Sequence, residues 1–174
     1  ILVGSIVAIW QKNIKRLIAY SSIAHMGFAT LALATGNKAD LNSILIYMVI
    51  YILANIGFFS CLINIQNKSD KNIENVSDLA GLSISNPGLA ISIALYMFSF
   101  AGIPPLAGFF AKYYIFISLI NEGFIILATT ALTASVIGAF YYIRFIKVMF
   151  FDEVDSIKKI PVSRSLGFIN IFCF

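Results

Sequence analysis

The sequence predicts an all-α, polytopic transmembrane helix bundle with one proline-broken helix. Three observations predict it. Of 174 residues, 60% are hydrophobic and only 11% are charged, with a mean hydropathy of +0.92. A soluble domain carries about 25% charged residues, so too few polar groups are present to cover a soluble surface. The apolar runs approach the ~20 residues a spanning helix needs. They do not show the alternating segments of about ten residues that mark membrane strands. The basic residues, finally, sort to one side of the predicted spans.

The spans form one transmembrane domain over residues 1–174. Residues 1–10, "ILVGSIVAIW", are the end of a first span. The second runs from about 17 to 35 and the third from about 41 to 65. The fourth runs from 87 to 120 and is interrupted at Pro104-Pro105. The fifth runs from about 124 to 151, and a partial sixth starts near Ser165. No basic n-region or cleavage site precedes the first run, so it does not read as a signal peptide. A chain that opens and stops inside apolar runs is expected to be part of something larger.

The loops after the first, third and fifth spans share one side. They hold Lys12, Lys15, Arg16, Lys68, Lys71, Arg144, Lys147, Lys158, Lys159 and Arg164, while the other side holds only Lys38. This asymmetry places the basic side in the cytoplasm, or in the matrix of a mitochondrion. It also explains the net charge of +4 without nucleic acid. Cys61 and Cys173 stand alone, with no metal or redox spacing, and read as packing residues.

Lys112 is the one basic residue that cannot be placed comfortably in a loop or at the end of a span. Either it snorkels along its stem to the interface, or it is a proton-titrating site facing protein or water. About eight residues separate it from Asn121, roughly 12 Å of helix, which is far for snorkelling and favours the second reading. Pro104 and Pro105 support it. Prolines remove backbone donors and leave carbonyls of the preceding turn without partners, a state tolerated in a membrane only in protein or beside a wet cavity. Broken spans in transporters mark ion paths. An ordinary proline kink, with Gly102 and Gly108 as close-packing residues, is the alternative.

His25 lies one turn after Ser21 and Ser22 in the second span. It is either a relay or a histidine hydrogen-bonded inside the bundle. Tyr47, Tyr51 and Asn55 form a polar stripe on the third span; Ser92, Tyr96 and Ser99 form one on the fourth. Thr129, Thr130, Thr133 and Tyr141 are candidates on the fifth. Such stripes either hold waters between titrating groups or make interhelical hydrogen bonds. Lys15 and Arg16 begin the second span, as interface anchors do. In the polar loop before Pro87, Leu79, Leu82 and Ile84 are expected to lie on the membrane surface. No phosphate loop, dinucleotide fingerprint, metal cluster or nucleophile elbow is present, so no covalent chemistry is expected.

The segments "QKNIKRLIAYSSIAHMGF" and "DLAGLSISNPGLAISIALYMFSFAGIPPLAGFFAKYYIF" resemble the proton-translocating, antiporter-like subunits of respiratory complex I, most closely subunit 2, called N in bacteria. "SVIGAFYYIRFIKVMFFDE" fits the same family. The resemblance covers about residues 1–153. It implies fourteen spans with two inverted five-helix repeats, of which this chain matches the second repeat and the start of the last helix. It implies a proton path through Lys112 at the broken helix, with Lys15 on it and His25 at a position that is often His or Gln; Tyr51, Asn55 and Tyr96 of the polar stripes are further candidates for that path, and Gly102, Pro104, Pro105 and Gly108 mark the helix break. The third span lacks the histidine and lysine of the larger sister subunits, in agreement with subunit 2.

The resemblance further implies a non-redox, proton-pumping subunit of an NADH:ubiquinone reductase in the mitochondrial inner membrane or a bacterial plasma membrane. NADH, FMN, iron–sulfur clusters and ubiquinone would be bound by partner subunits, and no cofactor by this chain. The partners implied are the other membrane subunits, lipid, and a chain supplying the first half of subunit 2. The alternatives are a subunit of a multisubunit cation/proton antiporter and a structural membrane subunit without transport.

Overall fold

A computed structural model describes residues 1–36, 40–66 and 73–152 of the chain. These form α1 (Leu2–Ile9), α2 (Ile14–Leu31, extended by a 3-10 turn, Ala32–Thr35), α3 (Asp40–Gln66), a 3-10 turn (Val76–Leu79), α4 (Leu82–Ser85), α5 (Pro87–Ala101), α6 (Ala107–Asn121) and α7 (Ile125–Phe151). The sixth span, with Cys173, lies outside the described residues, as do Lys38, Lys68, Lys71, Lys158, Lys159 and Arg164. Among the described residues three helical stretches are long and apolar enough to cross a membrane: Ile14–Thr35, Leu41–Gln66 and Ile125–Phe151. α5 and α6 are apolar but shorter, and divide the fourth span between them.

Each boundary has a local cause. Asn13 caps α2 with its side-chain oxygen, which accepts from the Arg16 N–H at 3.2 Å, satisfying one of the donors a helix start leaves open. α2 therefore begins three residues before the apolar run does, and Lys15 and Arg16 occupy its first turn. Asn86 caps α5 in the same way through the Leu89 N–H, with Pro87 at the first helical position, where its missing donor costs nothing.

α5 is the central element. It packs against α3 on one side and α7 on the other, while α6 lies on α3 and α1 fills the angle between α2 and α7. One cluster of buried side chains, including Phe58, Ile93, Met97, Tyr142 and Phe145, joins α3, α5 and α7. A second, including Phe28, Tyr47, Ile115 and Leu119, joins α2, α3 and α6. The outward faces carry large apolar residues such as Val49, Ile52 and Ile56, as lipid contact requires.

The loop before Pro87 differs from its expected place. Leu79 and Leu82 are buried in the first cluster, and only Ile84 is exposed. The cause is backbone pairing. Ile14 N–H donates to the Glu74 carbonyl (2.8 Å) and Val76 N–H to the Lys12 carbonyl (2.9 Å), so residues 74–76 are tied to the start of α2. That tether turns Leu79 and Leu82 inward over the end of the bundle.

Arg144, on α7, is half-buried and donates to the Ile9 carbonyl at the end of α1 (2.9 Å). A cation at a helix C-terminus meets both an unpaired carbonyl and the negative end of the dipole. Arg144→Met is expected to cost about 2 kcal/mol, the scale of a charge-assisted hydrogen bond. The check is a lower thermal unfolding midpoint in detergent, with unchanged far-ultraviolet circular dichroism at low temperature.

Candidate functional site: a buried lysine at a broken helix

The site is built by the break between α5 and α6. In an unbroken helix the carbonyls of Phe100 and Ala101 would accept from the N–H groups four residues on. Those positions are Pro104 and Pro105, which have none. The peptide between the two prolines is cis. α5 ends at Gly102, whose φ of 82° is left-handed and whose N–H closes onto the Phe98 and Ser99 carbonyls. This is a glycine C-cap, and it leaves the Phe100 and Ala101 carbonyls open.

Lys112 fills them. Its Nζ donates to the Phe100 carbonyl at 2.9 Å, to the Ala101 carbonyl at 3.1 Å and to Ser135 Oγ at 2.9 Å. An ammonium has three protons, and all three are used. The residue is 6% exposed, which excludes snorkelling within this fold. The ring of Phe28 lies 5.1 Å from Nζ, within reach of a cation–π contact. No carboxylate is buried among the described residues, so neutral dipoles alone hold the cation, together with the negative end of the α5 dipole.

Two glycines make room. A Cβ on Gly102 would stand 3.0 Å from Lys112 Cδ, so this position needs glycine for space as well as for φ. A Cβ on Gly108 would overlap the Ser99 carbonyl. Gly108 instead donates its N–H to Ser99 Oγ at 3.1 Å, which satisfies a donor at the start of α6 and fastens α6 to α5.

Lys112, His25, Tyr47 and Tyr51 line one small cavity of about 10 Å³, together with Phe100 and Gly108. That is about the space of a single water. His25 is buried between two tyrosines: Nδ1 lies 2.6 Å from the Tyr47 hydroxyl and Nε2 lies 3.0 Å from the Tyr142 hydroxyl. The Tyr142 hydroxyl is also hydrogen-bonded to Ser21 Oγ.

The fold thus brings together Lys112, His25, Tyr51, Gly102 and Gly108, with Pro104 and Pro105 acting through the carbonyls they free. Other sequence candidates stand apart. Lys15 is exposed in the first turn of α2. Asn55 donates its amide to the Tyr51 carbonyl of its own helix. Tyr96 is buried against Gly57 and does not line the cavity. Thr129, Thr130 and Thr133 are exposed and bonded to carbonyls of α7 itself. Ser22 is only partly buried and does not share the inward face of Ser21 and His25. Sequence reasoning missed Ser135, Tyr142 and Phe28. For the first two a signal existed: Ser135, Gly138 and Tyr142 recur at helical spacing on the face of α7 opposite the threonines.

Residues 1–138 match the model of the NADH:quinone oxidoreductase/Mrp antiporter transmembrane family. The chain belongs to that family. It is 51% identical over 175 residues to NADH-quinone oxidoreductase subunit N of Parvibaculum lavamentivorans, an alignment covering 98% of this chain and 36% of that protein. A chain of respiratory complex I from Thermus thermophilus, solved with bound aureothin, superposes with a TM-score of 0.82 at 31% identity, over 98% of this chain and 38% of that one. A chain of the Mrp complex from Dietzia sp. superposes with a TM-score of 0.79 over 95% of this chain and 34% of that one, at 20% identity, a likeness of fold alone. The chain spans about a third of the length of these relatives. Both readings of the family, complex I and cation/proton antiporter, thus share this fold, and the subunit N likeness in sequence favours the first.

Proposed function

We propose that this chain is the second-repeat portion of a subunit N, or subunit 2, of a proton-translocating NADH:quinone oxidoreductase, and that Lys112 is the group that takes up and gives up the proton. One observation carries it. A lysine is buried at membrane depth with its ammonium seated on the two carbonyls that Pro104 and Pro105 leave open. An intramembrane cation held at a helix break is the arrangement of an ion path.

The chemistry follows from hydrogen-bond capacity. The ammonium offers three donors to three acceptors. The neutral amine offers two, and a lone pair. The two carbonyls can only accept, whereas the Ser135 hydroxyl can turn to donate. Proton release therefore needs one reversal, at Ser135, and a nearby acceptor for the departing proton. A water in the cavity beside Lys112 can serve as that acceptor.

In this reading the chain binds no redox cofactor. NADH, FMN, iron–sulfur clusters and ubiquinone belong to partner subunits, and the pump is driven from them. Other membrane subunits and lipid surround it. The membrane is the mitochondrial inner membrane, in keeping with the Ile-, Phe-, Asn- and Lys-rich composition; a bacterial plasma membrane is the alternative. Lys112→Ala tests the central point. In the assembled complex it is expected to abolish most proton translocation while native gels show normal assembly. Normal pumping by an assembled Lys112→Ala complex would sink the proposal. Sodium-dependent exchange without NADH oxidation would instead point to a cation/proton antiporter.

A further inference from the structure

We propose that α1 and α7 build a binding site for an anionic phospholipid at the basic end of the bundle, with Arg144 and Lys147 holding its phosphate and the exposed apolar stripes of the two helices carrying its acyl chains. The site lies apart from the Lys112 cavity and does not depend on what Lys112 does.

Arg144 is the anchor. It is half-buried, and among the described residues its one hydrogen bond runs from a terminal nitrogen to the Ile9 carbonyl (2.9 Å). A guanidinium carries five N–H donors in a fixed fork, so the rest of the fork is open. Among the described residues no carboxylate is within ion-pair distance of it. A phosphate can take two parallel N–H bonds from such a fork.

Lys147 stands three residues on, on the same helical face and about 4.5 Å nearer the basic side. Its ammonium lies 3.8 Å from the Asp152 carboxylate, and both side chains are exposed. An exposed pair of this kind contributes little, so the ammonium can turn to a phosphate. The other described acids of this end are Glu74 and Asp78, and Asp78 is occupied by the Glu74 and Asn75 N–H groups. Against these three carboxylates stand five cations: Lys12, Lys15, Arg16, Arg144 and Lys147. Nor does the end of α1 repel an anion strongly, because the Gln11 amide covers the Val7 carbonyl and Arg144 covers that of Ile9.

Charge alone would suit any anion. The apolar surface beside it selects a lipid. On α7, Phe140 and Ile143 lie one turn before Arg144 and Lys147, and both are exposed. On α1, Val3, Ile6 and Trp10 recur at helical spacing and are exposed too. The two helices are in contact, and the Arg144–Ile9 bond sets their level. Both stripes therefore end at the depth where the cations begin. Trp10, 80% exposed, stands at that depth, as an indole does at a membrane–water interface. A soluble anion would leave the stripes uncovered, and a zwitterionic headgroup brings a cation of its own to compete with Arg144. Basic pockets between spanning helices on this side of a membrane bind anionic headgroups.

The test uses the assembled complex in phosphatidylcholine vesicles containing phosphatidylglycerol with a photoreactive group on one acyl chain. After illumination, labelled peptides are mapped by mass spectrometry. Label is expected on α1 and on residues 136–143 of α7. Unlabelled phosphatidylglycerol, exchanged for phosphatidylcholine at constant probe, is expected to displace it, and the same photoreactive chain on phosphatidylcholine is expected to label these segments weakly. Lys147→Gln is expected to lower the label about fivefold, the effect of one basic residue near a headgroup, and Arg144→Gln to lower it further. If Arg144→Gln fails to assemble, the wild-type competition and Lys147→Gln decide. Equal labelling by the two probes, or undiminished labelling in Lys147→Gln, overturns the site and leaves ordinary bilayer contact. Absence of label from both helices in the wild type also overturns it, and shows that a neighbouring protein covers this face.

Discussion

Replacing Gly108 by valine is expected to leave little or no folded protein in the membrane. The reason is the junction of the two half-helices. A Cβ at this position would overlap the Ser99 carbonyl oxygen and crowd the Ser99 carbonyl carbon and Oγ. Two of these atoms are backbone, and Ser99 lies in the last turn of α5, held by helix hydrogen bonds on both sides. Those two cannot rotate away. Relief requires α6 to lift off α5, which breaks the Gly108 bond to Ser99 Oγ and withdraws Lys112 from its carbonyls. Ordinary overpacking costs about 1–3 kcal/mol. Here the lost hydrogen bonds add to it, including an ammonium left partly unpaired at membrane depth. The measurement is the amount of chain recovered in native-size complex from solubilised membranes. Near-normal recovery would show that the half-helices are not held this closely. Gly123, whose Cβ would meet no other atom, is the contrasting position for space, although its positive φ also disfavours side chains.

The second large effect is expected from Pro104→Ala with Pro105→Ala. The double substitution removes nothing that touches Lys112. It adds two backbone donors, four residues after Phe100 and Ala101, that can take those carbonyls back into the helix. The ammonium then loses two of its three partners and keeps only Ser135. The expected outcome is a chain that inserts and assembles, because an extended apolar helix suits the bilayer, but translocates protons little better than Lys112→Ala. The single variants should fall between, since each frees one donor. Assembly and translocation are read separately, on native gels and in vesicles. Full translocation by an assembled double variant would show that the break does not hold the lysine's charge.

Much of this was legible in the residues. Low charge and the sorting of basic residues identify a membrane bundle. Two adjacent prolines in an apolar run predict open carbonyls, and one lysine at membrane depth predicts a need for acceptors. The arithmetic joining them, 104 to 100 and 105 to 101, can be done without coordinates. What the residues did not reveal was that the lysine eight positions after Pro104 folds back onto those carbonyls. Loop geometry decides that, and Gly102 and Gly108 permit it.

The polar stripes were less legible. On α7 the three threonines looked as eligible as the tyrosines, yet they face outward and bond to their own helix, while Tyr142 and Ser135 reach the interior. The loop residues Leu79 and Leu82 were misplaced for a related reason. Their burial depends on the pairing of residues 74–76 with the start of α2, a contact across about sixty positions that no local pattern announces.

By itself, then, the sequence determined that this chain lives in a membrane, where its helix must break, and that Lys112 sits at the depth of the break. Those follow from local quantities: hydropathy, the absence of an N–H on proline, and the cost of a buried charge. Only the tertiary structure decided which face of each helix turns inward, and so which hydroxyls join into a chain. In water, the outward face of a helix is polar and periodicity reveals the core. In lipid both faces are apolar, the pattern carries little orientation, and packing alone makes the choice.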